Sequence, residues 1–303
     1  MSCQHCISEP VIQLSNSQSL CKSCFLSYFE KKVFSTIRAE NMIADNDHVG
    51  IAVSGGKDST TVLYLMHQLV KEWKGLRLTA IAIDEGIAGY RDITLDGLQK
   101  FCQKEKITLN IFSFKDLTGK DLDVLVQQFP RACSICGVLR RYLLNTKARA
   151  LGITKLVTGH NMDDEAQSIL MNQFRRNMRL SARLGPVTGM THDPKFIPRI
   201  KPLYFLSEKE VATYAFIQGF METYNECPHA SDSYRAKVRD MLYAFDADVP
   251  GTKEGIIRSF LEVLPQLKIK YQGIMKYCIK CGEPAAQDVC KACQFIEAAL
   301  KSG

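Results

Sequence analysis

No run of about 18 apolar residues occurs anywhere in this chain, which excludes a membrane-spanning helix of ordinary length. The polar, cysteine-bearing N-terminus lacks the apolar stretch of a signal peptide, so a cytoplasmic protein is expected. Low-complexity tracts are absent too, and 46% hydrophobic with 23% charged residues is ordinary for a soluble globular protein. At 303 residues there is room for one α/β domain with small appendages. A formal net charge of +7 favours an acidic partner, although a surface with scattered cations gives the same sum.

Cysteine, by contrast, is abundant. In a reducing cytosol 12 cysteines are better explained as metal ligands than as disulfides. Cys102 stands alone in a helical pattern and reads as a small packed hydrophobe. Two pairs at the start, Cys3-x2-Cys6 and Cys21-x2-Cys24, are matched by Cys278-x2-Cys281 and Cys290-x2-Cys293 at the end. Four thiolates from two such knuckles close a tetrahedral zinc site, and each end is too short to build its own core without one. Redox dithiols and an iron–sulfur cluster are the competing readings. The chain divides accordingly into ribbons at 1–30 and 271–303 around a catalytic domain at 31–270 whose last part is helical.

Between the ribbons, strand and helix patterns alternate. Val49–Val53, Leu76–Ile83, Thr108–Phe114 and Lys155–Thr158 read as strands separated by helical stretches. This alternation predicts a doubly wound, mostly parallel α/β sheet with its ligands beyond the carboxyl ends of the strands. Residues 54–59, 84–90 and 159–164 all fall at that edge. Past residue 195 the sheet pattern fades, Ser207 and Glu210 form a capping-box signal, and residues 231–264 read as helix broken near Pro250.

Ser54-Gly55-Gly56-Lys57-Asp58-Ser59 follows the first strand and opens a helix. Such a turn aims backbone N–H groups and the positive end of the helix dipole at whatever lies above, and a phosphate chain is the natural occupant. The Walker glycine is missing and Asp58 stands where that motif has a hydroxyl, so this is a different loop. Its six residues resemble the pyrophosphate loop of the N-type ATP pyrophosphatases, a family in which ATP is cut between its α and β phosphates and AMP goes to a substrate oxygen. The structural alternative is a glycine-rich turn with incidental Ser and Lys.

Cys133-x2-Cys136 lies alone in mid-chain, with Cys227 about 90 residues on. Three thiolates are too few for a closed zinc site and suit a centre with one open position. A [4Fe–4S] cluster with an unligated iron, a catalytic zinc and a persulfide-carrying dithiol all remain open on the residues alone.

The loop, the stretch Asp84–Asp92, Cys133-x2-Cys136-Gly137, Gly159–Ala166 and Glu226-Cys227-Pro228 occur in that order between the two ribbons. In this combination residues 3–293 resemble the tRNA 2-thiouridine synthetases of the TtuA/NcsA type, within the PP-loop superfamily. The resemblance implies that Cys133, Cys136 and Cys227 hold a [4Fe–4S] cluster whose fourth iron binds the sulfide to be transferred. It also implies ATP contacts at Val53, Ser54, Gly55, Gly56, Lys57, Asp58, Ser59, Ile83, Gly159 and Asp164, with Arg140 reaching toward the phosphates from the cluster side. Lys57 would stabilise the departing pyrophosphate, and Asp58 or Asp164 would position Mg²⁺.

The implied reaction adenylates the C2 oxygen of a tRNA uridine and replaces it with sulfur, with no net redox change. Position 34 is favoured over 54 by the stretches after Asp84 and Cys136. The sulfur would come from sulfide or a ubiquitin-like thiocarboxylate carrier, and ribbons at both ends suit a homodimer. For RNA contact, Arg175, Arg179 and Arg183 are expected on one helical face, with Arg235, Lys237 and Arg239 as a second basic group. The competing functions are a synthetase that adenylates a small metabolite, thiolation through a cysteine persulfide without a cluster, and a ribbon-bearing nucleic-acid scaffold with a vestigial loop.

Overall fold

The apolar runs of the middle of the chain pair side by side into one sheet. The computed structural model describes residues 2–129, 132–189, 193–220, 227–229, 233–273 and 275–301. Glu226 of the Glu226-Cys227-Pro228 motif lies outside the described residues. A hairpin of β1 (Ile12–Gln13) and β2 (Ser19–Leu20) leads through α1 (Lys22–Ala39) to β3 (His48–Val53), α2 (Lys57–Glu72) and β4 (Arg77–Asp84). Next come α3 (Arg91–Glu105), β5 (Leu109–Ser113), α4 (Phe114–Thr118), α5 (Leu122–Gln128), α6 (Ala132–Ala150) and β6 (Lys155–Thr158). They are followed by α7 (Met162–Phe174), α8 (Met178–Ser181), β7 (Arg199–Ile200), α9 (Glu208–Ile217), α10 (Tyr234–Asp248) and α11 (Thr252–Tyr271). A second hairpin, β8 (Lys276–Tyr277) and β9 (Pro284–Ala285), and α12 (Lys291–Lys301) end the described elements.

The five-stranded sheet has the order β5-β4-β3-β6-β7, and every neighbouring pair is parallel. The expected doubly wound α/β architecture is therefore present. β3 is buried along nearly its whole length because helices cover both faces, which is why its sequence is an unbroken apolar run. One face packs Phe25, Phe29, Leu63, Met66 and Tyr214 from α1, α2 and α9. The other packs Leu139, Leu143 and Ala299 from α6 and α12 against Ile81 and Leu156. A third core joins α7, α10 and α11 through Ile169, Leu242 and Phe260. From β3 the chain winds outward to β4 and β5, then returns to β6 on the other side of β3. That reversal opens a crevice at the carboxyl ends of β3 and β6, where this class of sheet binds ligands.

Two expectations need correction. The sheet does not stop at β6: β7 adds a fifth strand, too short to show a period-2 pattern in sequence. Nor do Arg175, Arg179 and Arg183 share a helical face. α7 ends at Phe174, Arg176 turns left-handed at φ 53°, and Asn177 caps the new helix α8. Arg175 instead stacks its guanidinium on Tyr234, 4.1 Å from the ring centroid.

Candidate active site and metal centres

The phosphate-type loop is the short link from β3 to α2. Gly55 takes φ 82°, a conformation that strains any side chain, and a Cβ there would lie 2.5 Å from the Thr94 carbonyl oxygen. Ser54 N–H donates to Ser59 Oγ (3.1 Å), whose hydroxyl donates to the Gly56 carbonyl (3.0 Å), so the turn is held in shape from within. Gly56 occupies the N-cap of α2 and offers no side-chain cap, which leaves the first-turn amides facing the crevice. Gly159, at the end of β6, closes the other wall. A Cβ at Gly159 would come within 2.9 Å of the Asp58 carbonyl carbon and the Ser59 nitrogen.

Charged side chains converge on this turn. Lys57 Nζ lies 3.0 Å from Asp58 Oδ2 and 3.0 Å from Glu208 Oε1 at the start of α9. Burial works against its charge, but the two carboxylates outweigh that and hold its pKa above the ordinary lysine value. Asp58 Oδ1 accepts from Asn161 Nδ2 at 3.0 Å. Asn161 in turn caps α7 in a capping box with Asp164, whose other oxygen faces Arg235 at 3.6 Å. Burial raises the pKa of Asp58 and of Asp164, and the Asp164 charge adds to the rise at Asp58. Two carboxylates pushed up in this way gain from a cation placed with them, which is the donor chemistry Mg²⁺ requires. Asp163 is different in kind: it is buried against Lys253 Nζ (2.6 Å) and accepts from the Glu208 amide (2.8 Å), a structural brace.

The three mid-chain cysteines open onto the same crevice. Cys133 and Cys136 sit on the first turns of α6, and the Cys133 thiol donates to the His229 carbonyl at 3.4 Å, tying the Cys227–His229 segment to the helix. Together with Cys227, Ser54, Glu85 and Arg140 they line a cavity of about 200 Å³. That is more than ten times the ~15 Å³ a single water needs. Burial pushes the Cys136 thiol up to about 11 against the pull of Arg140, and burial also raises Cys227.

Ligands of one zinc ion stay within about 4.6 Å of each other, twice the Zn–S bond. Among the described residues these three cysteines do not form a group within 4.8 Å, whereas each ribbon set does. The donors thus fit a larger group of several metal atoms better than a single ion. In the ribbons, Cys3, Cys6, Cys21 and Cys24 gather at one end and Cys278, Cys281, Cys290 and Cys293 at the other, the all-sulfur donor set of a tetrahedral site. The Ser23 hydroxyl, with the Cys24 amide, holds the Cys21 thiol down at about 6. Burial opposes ionisation of Cys278, but amides led by that of Cys290 bring it to about 6 as well. Cys102 is buried in the core, as its isolation in the sequence suggested.

What the sequence did not reveal is the connection between the loop and the cysteines. Arg91, 2% exposed, donates to the carbonyls of Ser54 (2.5 Å) and Ile83 (2.5 Å), the ends of the two central strands. Its Nε also lies 2.9 Å from Glu85, whose second oxygen meets Arg140 at 3.5 Å. An Arg–Glu–Arg bridge therefore runs from beneath the nucleotide loop to the cysteine helix. Asn161 and Glu208 likewise escaped notice, because only the fold brings them to Asp58 and Lys57.

Comparison with known proteins agrees with this geometry. Residues 27–243 match the PP-loop domain family. A tRNA 2-thiolation protein, NcsA, of Haloferax volcanii is 34% identical, with 98% of each chain covered. Cytoplasmic tRNA 2-thiolation protein 1 of Xenopus laevis is 37% identical over 92% of this chain and 82% of its own. Among solved structures, the U34-tRNA thiolase NcsA of Methanococcus maripaludis with its [4Fe–4S] cluster superposes with a TM-score of 0.84. It is 33% identical, with 98% of this chain and 96% of that one covered. The chain belongs to the PP-loop family of tRNA 2-thiolation proteins.

Proposed function

We infer that the protein is an ATP-dependent tRNA sulfurtransferase that converts the C2 carbonyl of a tRNA uridine into a thiocarbonyl. The observation that carries this reading is the single cavity onto which the loop residue Ser54 and all three cysteines open. An activated oxygen and an incoming sulfur must meet at one carbon, and a shared cavity permits that.

Uracil C2 is a poor electrophile because its oxygen leaves badly. The loop binds the β and γ phosphates through the α2 amides, and Lys57 neutralises charge that grows on the departing pyrophosphate. Asp58 and Asp164 would hold Mg²⁺, which when bound would offset phosphate charge, and Asn161 fixes the orientation of both carboxylates. The C2 oxygen attacks the α phosphorus, pyrophosphate leaves, and the oxygen becomes part of an AMP leaving group. Hydrosulfide then adds at C2, AMP departs with the original oxygen, and one proton is released.

Cys133, Cys136 and Cys227 would hold the [4Fe–4S] group, which supplies, when bound, an iron position that keeps sulfide deprotonated and oriented. Arg140 lies between these thiols and Glu85 and favours anionic species on that side of the cavity. Sulfide and a thiocarboxylate carrier both deliver sulfur at the same oxidation level, so no electron is needed. The modified base is uridine 34, following the Methanococcus relative. The ribbons hold zinc, and the reaction takes place in the cytoplasm, as the names of the eukaryotic relatives have it.

The test is an anaerobic assay with cluster-reconstituted protein, tRNA transcript, ATP and sulfide. AMP, pyrophosphate and 2-thiouridine should form in equal amounts and only when tRNA is present. AMP formation driven by a small metabolite without tRNA would overturn the reading.

A further inference from the structure

Between the cysteine helix and the last strand of the sheet, the buried carboxylates already have partners, and among the described residues two neighbouring arginines are left without one. Glu165 is taken by Lys201 (2.7 Å), Glu85 by Arg91 and Arg140, and Glu283 by Arg149 and Asn145. Arg141 and Arg199 lie among these groups, yet among the described residues neither guanidinium has a carboxylate or hydrogen-bond partner.

The fold sets the two side by side. α6 runs antiparallel to the strands, from the carboxyl edge of the sheet back to the start of β6. Asn145 of α6 is fixed to the approach to β7, since its Oδ1 accepts from Ile197 N–H at 3.3 Å. Arg141 is four residues earlier on the helix, about 6 Å toward the carboxyl edge. Arg199 is two residues beyond Ile197, about 6.6 Å in the same direction and on the same face of the sheet. The Arg141 guanidinium folds back over Gly137, where an added Cβ would sit 3.2 Å from Nη1, and so points toward the cysteine end of α6.

Arg199 pairs in register with Leu156, and Thr158, two residues on, shares a hydrogen bond of 2.9 Å with His160 Nδ1. His160 therefore stands at the same wall. Burial and the neighbouring Arg141 and Arg140 bring Arg199 down to about 10, and burial with Arg140 lowers Arg141. Uncompensated cations held this close are unfavourable until an anion joins them.

We propose that Arg141 and Arg199, with His160 beside them, form a subsite for a phosphodiester of the RNA strand next to the modified uridine. This rests on the tRNA thiolation reading and adds a residue-level docking point to it. A phosphate of ATP is the other source of the same chemistry. The nucleotide loop ends β3, however, whereas Arg199 lies on β7, two strands and about 9.6 Å away across the sheet. The loop also brings its own donors.

The test measures binding of a tRNA transcript from 50 to 400 mM KCl, with ATP binding in parallel, for wild type, Arg141→Gln, Arg199→Gln, the double variant and Arg199→Lys. Zinc content and thermal melting check the fold. Each Gln variant should lower the slope of log K against log salt by about 0.7 and weaken tRNA binding about fivefold at 0.1 M. The double variant should lose about 25-fold, and Arg199→Lys should keep the slope. ATP affinity should stay within twofold. An unchanged slope in the double variant, or a loss confined to ATP, overturns the subsite. Failure of wild type to bind tRNA overturns the thiolation reading and the subsite with it.

Discussion

Replacing Arg91 with Met puts the bridge beneath the loop to a quantitative test. The substitution roughly conserves volume but leaves Glu85, 7% exposed at its side chain, with only the longer Arg140 contact at 3.5 Å. Removing one partner of a buried pair costs about 3–5 kcal/mol, because the other charge stays buried and uncompensated. The carbonyl of Ile83, a residue only 3% exposed, also loses the two Arg91 donors, adding about 1–3 kcal/mol, whereas Ser54 is an exposed residue. The two costs overlap at one site, so the expected loss is about 4–6 kcal/mol, a large share of a domain's total.

Urea unfolding followed through Trp73, the chain's one tryptophan, reads this loss. ATP affinity should fall at least tenfold, since Ser54 and Ile83 both lose their anchor. Adding Glu85→Met should recover about half or more of the stability, because an apolar pair tolerates burial that a lone carboxylate does not. A single variant within 1 kcal/mol of wild type, or a double variant with no recovery, would refute the bridge as the link between loop and cysteine helix.

Cys227→Ala should strip iron and acid-labile sulfide from anaerobically purified protein while about two zinc equivalents remain; iron retained at the wild-type level contradicts the assignment of that thiol. In Gly159→Ala the new methyl must displace the Asp58–Ser59 backbone by about 0.5 Å, so ATP affinity should drop at least tenfold, and calorimetry showing no change would sink the close-approach argument. Burial alone raises Cys102 to about 11, so its neutral thiol favours the fold below pH 9, and that contribution fades as pH climbs from 9 through 11, where the unfolded chain ionises first. Cys102→Val should flatten that alkaline loss, and in cluster-free protein Cys102 should react with iodoacetamide at pH 8 at least a hundredfold more slowly than exposed Cys133; equal labelling rates would contradict its burial.

The parts of this protein that were legible in sequence are those whose chemistry is local. The loop, the paired knuckles and the Ser207–Glu210 capping box each depend on residues a few positions apart, and the box formed as read. Apolar runs revealed four of the five strands, since a strand buried on both faces needs no alternation to be seen. The fifth has two residues and gave no pattern. The Arg176 turn escaped for a related reason: a single left-handed residue ends α7 without a glycine to announce it. Glu85, Arg91 and Arg140 span 55 positions and meet only through the sheet, as do Arg141 and Arg199. Charge pairs of this kind depend on topology, which local spacing does not encode.

The most direct measurement of the central claim follows the uridine oxygen. tRNA carrying ¹⁸O at C2 of uridine 34 is thiolated under single-turnover conditions, and the nucleotide product is weighed by mass spectrometry. Activation at C2 by adenylation sends the label into AMP, one atom for each 2-thiouridine formed. Unlabelled AMP, or ADP in place of AMP and pyrophosphate, would contradict the account.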